Sequence, residues 1–344
     1  MKIRTWVCGL VAVILASTPA FPWGYEGHEM VGAIADKMLS DNARQQVQQI
    51  LVFSLQVAAP WPDCVRSVVK QNGTFKYLPP PLHPEFRIPC KSFEAEHGAP
   101  DEQARMEDYA ARNWDNCTDG ESNRHCHELF HFADVAIQRG KYDRAYVGTS
   151  DHDIVSAINA CIAALQGQAP AEGPFSIKDK KEALFLLAHF VGDLHQPLHV
   201  GAVYLDPNDG QLVDPDHIGL DRKTETAGGN SIKDGNERFH TEWDHIPSEW
   251  GLTPDAEILI EARTVQLTPG LISGWAARWA TDTVLKAREA FAGLTFSRAG
   301  DQLWNVHFLD NDKQAYDENA KKMKRSQLAK GGARLAHILN SIWP

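Results

Sequence analysis

An eleven-residue stretch near the middle of the chain carries side chains that could bind a metal ion. His189 and Asp193 are four residues apart, so a helix would place both on one face. Pro197 would end that helix, and His199 could fold back towards the same face from the turn beyond it. Nitrogen and oxygen ligands that converge in this way suit zinc, so the stretch predicts a zinc site. His195, inside the same stretch, is interpreted as a structural residue.

The same four-residue spacing recurs further along the chain, in His240 and Asp244. These residues follow the loop Gly228-Gly229-Asn230. An isolated pair of this kind usually makes a surface or core hydrogen bond. Its recurrence favours a second group of metal ligands.

His127, Glu128 and His131 form the sequence H-E-x-x-H, which in metalloproteases binds zinc on a helix and supplies a glutamate base. The longer form of that motif requires glycine where this chain has Asp134, and nothing identifies a third protease ligand. We therefore interpret His131 alone as a ligand, within a different site.

Two further segments are weak evidence for a functional site when each is taken alone. They are Trp23-Gly-Tyr-Glu-Gly-His28 and Trp61-Pro-Asp63-Cys-Val-Arg66. A tryptophan in such a place is usually a packing residue, and one aspartate after a tryptophan is usually a helix cap. Both segments gain meaning only beside the histidine clusters.

The composition is that of an ordinary globular protein. Of 344 residues, 43% are hydrophobic and 23% charged, which excludes collagen-like, disordered and multi-span membrane proteins. The formal net charge is −11. That acidity argues against binding nucleic acid through a broad basic surface, since such binding depends mostly on Lys and Arg at phosphates.

Residues 1–22 are predicted to be a signal peptide. Lys2 and Arg4 precede an apolar stretch that is short for a membrane span, and small residues follow it. The mature protein, expected to begin at Trp23, would be secreted or periplasmic, where disulfides form.

Five cysteines remain after the signal peptide. Cys117 and Cys126 flank a polar loop and are the pair that we expect. The partners of Cys64, Cys90 and Cys161 stay open. An odd number leaves at least one thiol free or in an intermolecular bridge.

Hydrophobic periodicity predicts a mainly α protein with one domain, 23–344. Segment 72–127 is the least regular and is predicted to be a long loop or an inserted subdomain. Segment 201–236 is predicted to be a loop with room for a short hairpin. The first helical pattern covers 27–50, but residues 40–42 interrupt it and cap a second helix at 43–52. Further helices are expected at 128–138, 151–166, 179–194, 254–267, 271–291 and 314–342.

Six motifs in register resemble those of the single-strand-specific trinuclear-zinc nucleases of the S1/P1 type, which include plant bifunctional nucleases. In chain order they are W-G-x-x-G-H, W-x-D-x-x-R, H-[FY]-x-D, H-F-x-G-D-x-H-Q-P-L-H, G-G-N and H-x-x-W-D. The resemblance covers nearly all of 23–344 except 72–127, which is longer than in the compact fungal members. It implies a single compact all-helical domain of the type shared with zinc phospholipase C.

The resemblance also implies three Zn²⁺ ions. Their ligands would be Asp63, His131, His189 and Asp193 for one ion, His199, His240 and Asp244 for the second, and His28, Asp193 and the α-amino nitrogen and carbonyl oxygen of Trp23 for the third. Asp193 would then bridge two ions. Because the third ion needs a free amine, signal cleavage must leave Trp23 as the first residue.

Roles in a reaction follow from the same resemblance. Asp193 would bridge a metal pair that ionises the attacking water, which Asp63 would help to orient. Arg66 would hold a phosphate oxygen and offset charge in the transition state. Phe132 would stack on a base and Asp134 would accept hydrogen bonds from its edge, which requires an unpaired base.

Together these roles describe an exported zinc-dependent phosphodiesterase. It would hydrolyse RNA and single-stranded DNA to 5′-nucleotides and would also act as a 3′-nucleotidase. The alternatives, in order, are a zinc-dependent phospholipase C, an H-E-x-x-H metalloprotease and a zinc-stabilised binding protein without turnover. We expect a monomer that acts without a stable protein partner and without a membrane.

Overall fold

The computed structural model describes residues 23–79, 87–117, 124–169 and 173–344. The predicted signal peptide, 1–22, lies outside the described residues. Within the described ranges, no helix has both the length and the apolar character needed to cross a membrane.

Helices dominate the described chain, as the mainly α prediction requires. They differ widely in length, from single turns to the long C-terminal helix. In chain order they are α1 (Tyr25–Met38), α2 (Asp41–Ile50), α3 (Leu55–Ala58), α4 (Trp61–Val65), α5 (Arg87–Cys90), α6 (Pro100–Arg112), α7 (Cys126–Leu129), α8 (Ile154–Leu165), α9 (Lys180–Leu194), α10 (Pro215–Ile218), α11 (Phe239–Asp244), α12 (Ala256–Thr264), α13 (Trp275–Ala290) and α14 (Lys313–Ile342).

Side-chain caps fix where several helices begin. The Ser40 side chain accepts a hydrogen bond from the backbone N–H of Ala43, so α2 starts at the predicted break. Asp153 caps α8 and Asp179 caps α9 in the same way. Each cap satisfies a backbone donor that the first turn leaves unpaired.

Helix α9 lies at the centre of the core. Every residue from Glu182 to Leu194 is buried, because the helix is apolar nearly all round. Helices α1, α8 and α14 pack around it. Polar side chains on α9 are therefore held rigidly and away from water.

Three small sheets accompany the helices. Strands β1 (Val68–Gln71) and β2 (Thr74–Tyr77) form a hairpin, and β3 (Val135–Ala136) pairs in parallel with β4 (Gly201–Ala202). The third sheet contains β5 (Ile232–Asp234), β6 (Glu237–Arg238), β7 (Thr295–Gly300) and β8 (Leu303–His307), in the order β6-β5-β8-β7. The β5–β6 hairpin begins within segment 201–236 and ends just beyond it, at Arg238.

The helix expected at 128–138 is wrong. Helix α7 ends at Leu129, and the chain then runs extended into β3. Backbone N–H groups of Ala133 and Val135 donate to the carbonyls of His199 and Val200. This pairing with a distant segment satisfies the backbone and overrides the local helical pattern.

Segment 72–127 is more regular than expected where it is described. It contains β2, α5 and the thirteen-residue α6. Met106 and Tyr109 of α6 belong to the common hydrophobic core, and Arg112 forms a 2.6 Å ion pair with Glu182 of α9. The described part of the segment therefore extends the main core.

Two disulfides fasten this region. The Cys117–Cys126 pair confirms the expected bridge, and Cys64–Cys90 joins the end of α4 to α5. Cys161 is a free, buried thiol, which accounts for the odd cysteine.

Candidate metal centre

Asp193 lies at the meeting point of three histidines. Its carboxylate oxygens lie 3.1 Å from Nε2 of His189, 3.0 Å from Nδ1 of His131 and 3.2 Å from Nε2 of His28. His189 and Asp193 share one face of α9, as their spacing predicts. These three histidines come from three separate segments of the chain, so one carboxylate can serve more than one ion.

Asp63, on the short helix α4, completes this first group. Its carboxylate lies 3.9 Å from Nε2 of His189 and 4.0 Å from Nε2 of His28. Ligand atoms of Asp63, His131 and His189 form one compact set, and those of His28, His189 and Asp193 form another. Both sets include His189, so they overlap and form adjoining parts of one candidate centre.

A second group lies beside the first. Nε2 of His240 lies 3.1 Å from Nε2 of His199 and 3.6 Å from the carboxylate of Asp244. Nδ1 of His199 lies 3.8 Å from Asp193, which links the two groups. His240 and Asp244 share one face of α11, whereas His199 reaches the site from the turn after α9.

Backbone carbonyls orient three of these imidazoles. Nδ1 of His189 donates to the carbonyl of Ala59 at 2.8 Å. Nδ1 of His199 donates to the carbonyl of His131 at 3.0 Å, and Nδ1 of His240 donates to that of Gly228 at 2.6 Å. This places the proton on Nδ1 and leaves the Nε2 lone pair for a metal. Such bonds are the usual support of metal-binding histidines.

Gln196 is a supporting residue that sequence reasoning missed. Its side-chain amide donates to Oδ1 of Asp244, 2.7 Å away. That bond fixes the orientation of a carboxylate within the second group. Its position inside the eleven-residue motif was the available signal.

Burial makes the charged state of these groups costly without a cation. Loss of water raises the pKa of Asp193 to about 6 and raises the pKa values of Asp63 and Asp244 well above normal. The same burial lowers the pKa of His28 to about 4 and that of His189 to about 3. Metal binding requires neutral imidazoles and ionised carboxylates, so a bound cation would offset the cost of keeping these carboxylates charged.

Unsatisfied polar atoms give an independent test of the fit. Within the described residues, neither carboxylate oxygen of Asp63 and neither nitrogen of His28 makes a well-aligned hydrogen bond. Buried atoms of this kind normally have partners. A bound cation would supply them, and the nitrogen and oxygen donors suit zinc.

Trp23 lies against the first group. Its ring is fully buried, and Nε1 donates to the carbonyl of Gly192 at 2.9 Å. A hydrogen bond from the Trp23 backbone to Asp193 opposes the rise in the carboxyl pKa that burial causes. The Gly24 N–H donates to the Asp244 carbonyl, so the start of the described chain is held between both groups.

A cavity opens beside the second group. Arg66, Phe132 and Asp134 line it together with His131, His199 and His240. Nη1 of Arg66 lies 3.7 Å from Asp63. Burial and the charge of Glu225 raise the pKa of Asp134 to about 7. The predicted phosphate and base contacts therefore share one cavity with the metal ligands.

Arg124 lines the same cavity and was missed by sequence reasoning. Its guanidinium lies over the Phe132 ring, 5.2 Å from the centroid. It stands in the irregular segment outside every motif, so no spacing pattern could have identified it.

The H-E-x-x-H residues do not form a protease site. Helix α7 ends before His131, so His127 and His131 do not share a helix face. His127 lies among the rings of Tyr109 and Trp114, and it belongs to no metal-binding group of the described residues. His131 alone joins the metal centre.

His195 has both ring nitrogens engaged away from the metal centre. Nδ1 donates to the Val191 carbonyl at 2.7 Å, and Nε2 accepts from Arg334 at 3.0 Å. The bond with Arg334 ties the end of α9 to α14, and both bonds fit the structural interpretation.

Gly228 has the backbone conformation that places His240. Its φ is +57°, and a Cβ there would lie 2.3 Å from the Leu198 carbonyl oxygen. We expect Gly228→Ala to destabilise the protein by about 3 kcal/mol or more, because positive-φ strain and a backbone clash add. The midpoint of urea unfolding measures this.

Gly235→Ala is the matched control for this prediction. Gly235 has nearly the same φ, +59°, but a Cβ there meets nothing within 4 Å. Gly235→Ala should lower the free energy of unfolding by about 1–2 kcal/mol, from the left-handed conformation alone. Equal losses in the two variants would contradict the clash with the Leu198 carbonyl.

Comparison with known proteins agrees with this geometry. The sequence model of the S1/P1 Nuclease family matches residues 23–344. Endonuclease 2 of Arabidopsis thaliana is 23% identical over 100% of this chain and 96% of its own length, and Endonuclease 3 of the same plant is 21% identical over 99% and 96%. The chain therefore belongs to the S1/P1 nuclease family, and so to the hydrolases that act on phosphodiester bonds.

Proposed function

We propose that the chain is an exported, monomeric zinc-dependent nuclease. It hydrolyses RNA and single-stranded DNA to 5′-nucleotides and also acts as a 3′-nucleotidase. The observation that carries the proposal is the convergence on Asp193 of ligand groups next to a cavity lined by Arg66, Phe132 and Asp134. Family membership supports the nuclease activity.

Three zinc ions are part of this proposal, and the three buried groups of ligand atoms, two of which share His189, support it. We assign them to the predicted sets, with Asp193 shared and with the amine and carbonyl oxygen of Trp23 completing the third. When bound, zinc lowers the pKa of water and draws negative charge from phosphate oxygens. The third ion would need a free amine at Trp23, so the proposal includes a mature protein that begins there, and two disulfides fit an oxidising compartment.

The protein's own groups position the substrate. Arg66, close to Asp63, offers a cation to a non-bridging phosphate oxygen. The carboxylate of Asp63 would help to orient the attacking water. Phe132 provides a ring for a base, and Asp134 accepts from the base edge, so an unpaired nucleotide is the substrate that fits.

The lining of the cavity favours nucleic acid over lipid. Charged and polar side chains of Arg66, Arg124, Glu128, Asp134 and Asn230 contribute to it. A phospholipase would need a broad apolar rim for acyl chains. A zinc-dependent phospholipase C is therefore the second candidate function.

One assay series tests the proposal. Purified protein, with and without chelator, is given single-stranded DNA, RNA, duplex DNA, a phosphatidylcholine analogue and casein. We expect single-stranded DNA and RNA to be cleaved, and the chelator to abolish this cleavage. Duplex DNA should be cleaved at least about tenfold more slowly, because its bases are already stacked. Phosphate release from 3′-AMP tests the 3′-nucleotidase activity.

Glu128→Ala separates the nuclease from the protease. A metalloprotease would need this glutamate as its base, whereas the metal groups do not contain it. Because Glu128 lines the cavity but joins no metal group of the described residues, we expect the substitution to alter KM for nucleic acid at most and to leave kcat near that of the wild type. Hydrolysis of lipid or casein without cleavage of nucleic acid would overturn the proposal.

A further inference from the structure

A row of aromatic rings lies along the segment that the family motifs leave out. Phe75 meets Trp114 edge to face with centroids 5.0 Å apart, and Trp114 stacks on His125 at 3.3 Å. All three side chains are half-buried, so each ring keeps an exposed part. We call Phe75, Trp114 and His125 the aromatic strip.

Backbone contacts hold the aromatic strip in place. In the β1–β2 hairpin, Phe75 stands opposite Lys70. The Cys126 N–H donates to the Trp114 carbonyl at 3.0 Å, and the Cys117–Cys126 disulfide closes the loop between Trp114 and His125. Rings that are fixed in advance lose little conformational entropy when a ligand binds.

The aromatic strip is linked to the cavity beside the candidate metal centre through Arg124. Its last residue, His125, follows Arg124 in the chain, and Arg124 lies over Phe132. Both Arg124 and Phe132 line the cavity that also contains His131 and Arg66. A strand whose one base lies on Phe132 can therefore continue onto the strip.

Cations lie at both ends of the strip. Lys70 Nζ lies 5.4 Å from the Phe75 ring, with a 45% exposed side chain, and Arg124 stands at the other end. Asp115 lies 3.9 Å from Lys70 and offsets part of this charge. Rings between cations are the usual pattern of surfaces that bind single strands, because bases stack while phosphates meet positive charge.

We propose that the aromatic strip binds nucleotides of the substrate strand that lie beyond the two flanking the cleaved bond. This inference rests on the proposed function and names a second part of its substrate site. The ligand is an unpaired strand, since a base that is stacked within a duplex cannot offer its face to Trp114. The strip therefore contributes to the affinity for longer substrates, whereas the chemical step takes place at the metal centre.

Trp114→Leu is the test. With a single-stranded decanucleotide, we expect KM to rise about 5- to 150-fold, as the loss of one base stack implies, at unchanged kcat. With a dinucleotide, which does not reach the strip, KM should stay unchanged. Trp114→Phe keeps a ring and should restore most of the affinity for the decanucleotide.

Two charge variants and one control sharpen the result. Lys70→Gln should raise KM for the decanucleotide, and Asp115→Asn should lower it, because they remove opposite charges. Trp343→Leu removes another half-buried tryptophan, at the end of α14 beside Ser40, and should leave both substrates unaffected.

The outcomes distinguish this inference from the proposed function. If Trp114→Leu has the wild-type KM for the decanucleotide, or raises KM equally for both lengths, the aromatic strip is not a binding site. Wild-type cleavage in the same assay would still support the nuclease. If the zinc-loaded wild-type protein cleaves neither substrate, the proposed function itself fails.

Discussion

Asp193→Asn is expected to reduce nuclease activity by at least about 10³-fold, because it removes the carboxylate that three histidines surround. The neutral amide cannot bridge two cations, so zinc content should fall by two ions of the proposed three. Elemental analysis and kcat/KM on a single-stranded oligonucleotide measure both effects.

Loss of folding is not the expected cause of this inactivation. In metal-free protein the variant should be at least as stable as wild type, since it removes one of three buried carboxylates that repel each other. Asp317→Asn, an exposed change on α14, serves as the control and should keep full zinc and activity. Normal zinc content together with near-normal rates in Asp193→Asn would refute the bridging role.

Removal of metal is expected to lower the melting temperature by about 10 °C or more. When the free ion concentration is about a thousand times the Kd, each bound ion adds about 4 kcal/mol to the free energy of unfolding, and the contributions of several ions add together. The buried carboxylates and the unsatisfied nitrogens of His28 are the groups that lose their partners. Thermal unfolding with and without EDTA, followed by added Zn²⁺, measures the shift and its reversal.

A fourth acidic group provides the control for the chelator experiment. Glu94, Glu96 and His97 also lie close enough to hold an ion, but Glu96 and His97 are exposed. His97→Gln should therefore show the same EDTA shift as wild type. A shift that disappears in this variant, or is absent in wild type, would contradict metal binding at the buried groups.

The sequence was most informative where one helix sets the geometry. His189 and Asp193 on α9, and His240 and Asp244 on α11, face the same way because a helix repeats every three to four residues. The cap at Ser40 was predictable for a similar reason, since its partner is Ala43. Local rules such as these need no knowledge of the rest of the chain.

Other features depended on pairing between distant segments. The 128–138 helix was wrong because residues after Leu129 bond to the backbone around His199. The joining of the β7–β8 hairpin to β5 was also not predicted, because β5 comes from a different part of the chain. A single sequence carries no record of such pairings, since each segment alone has another plausible conformation.

Segment 72–127 shows the same limit most clearly. Its prolines and charges suggested a loop or subdomain, yet α6 buries Met106 and Tyr109 in the common core. The stacking of Trp114 on His125 also arises only because a hydrogen bond and a disulfide bring their segments together. No motif could have identified that surface.

The sequence by itself determined the mainly α class, the expected Cys117–Cys126 bridge and the identities of the candidate ligands. Tertiary structure showed that His28, His131 and His189 meet at the carboxylate of Asp193, and that Arg124 lines the cavity beside them. The physical reason is range: helical spacing acts over a few residues, whereas a buried site forms only when packing brings separate segments together and excludes water from their charges.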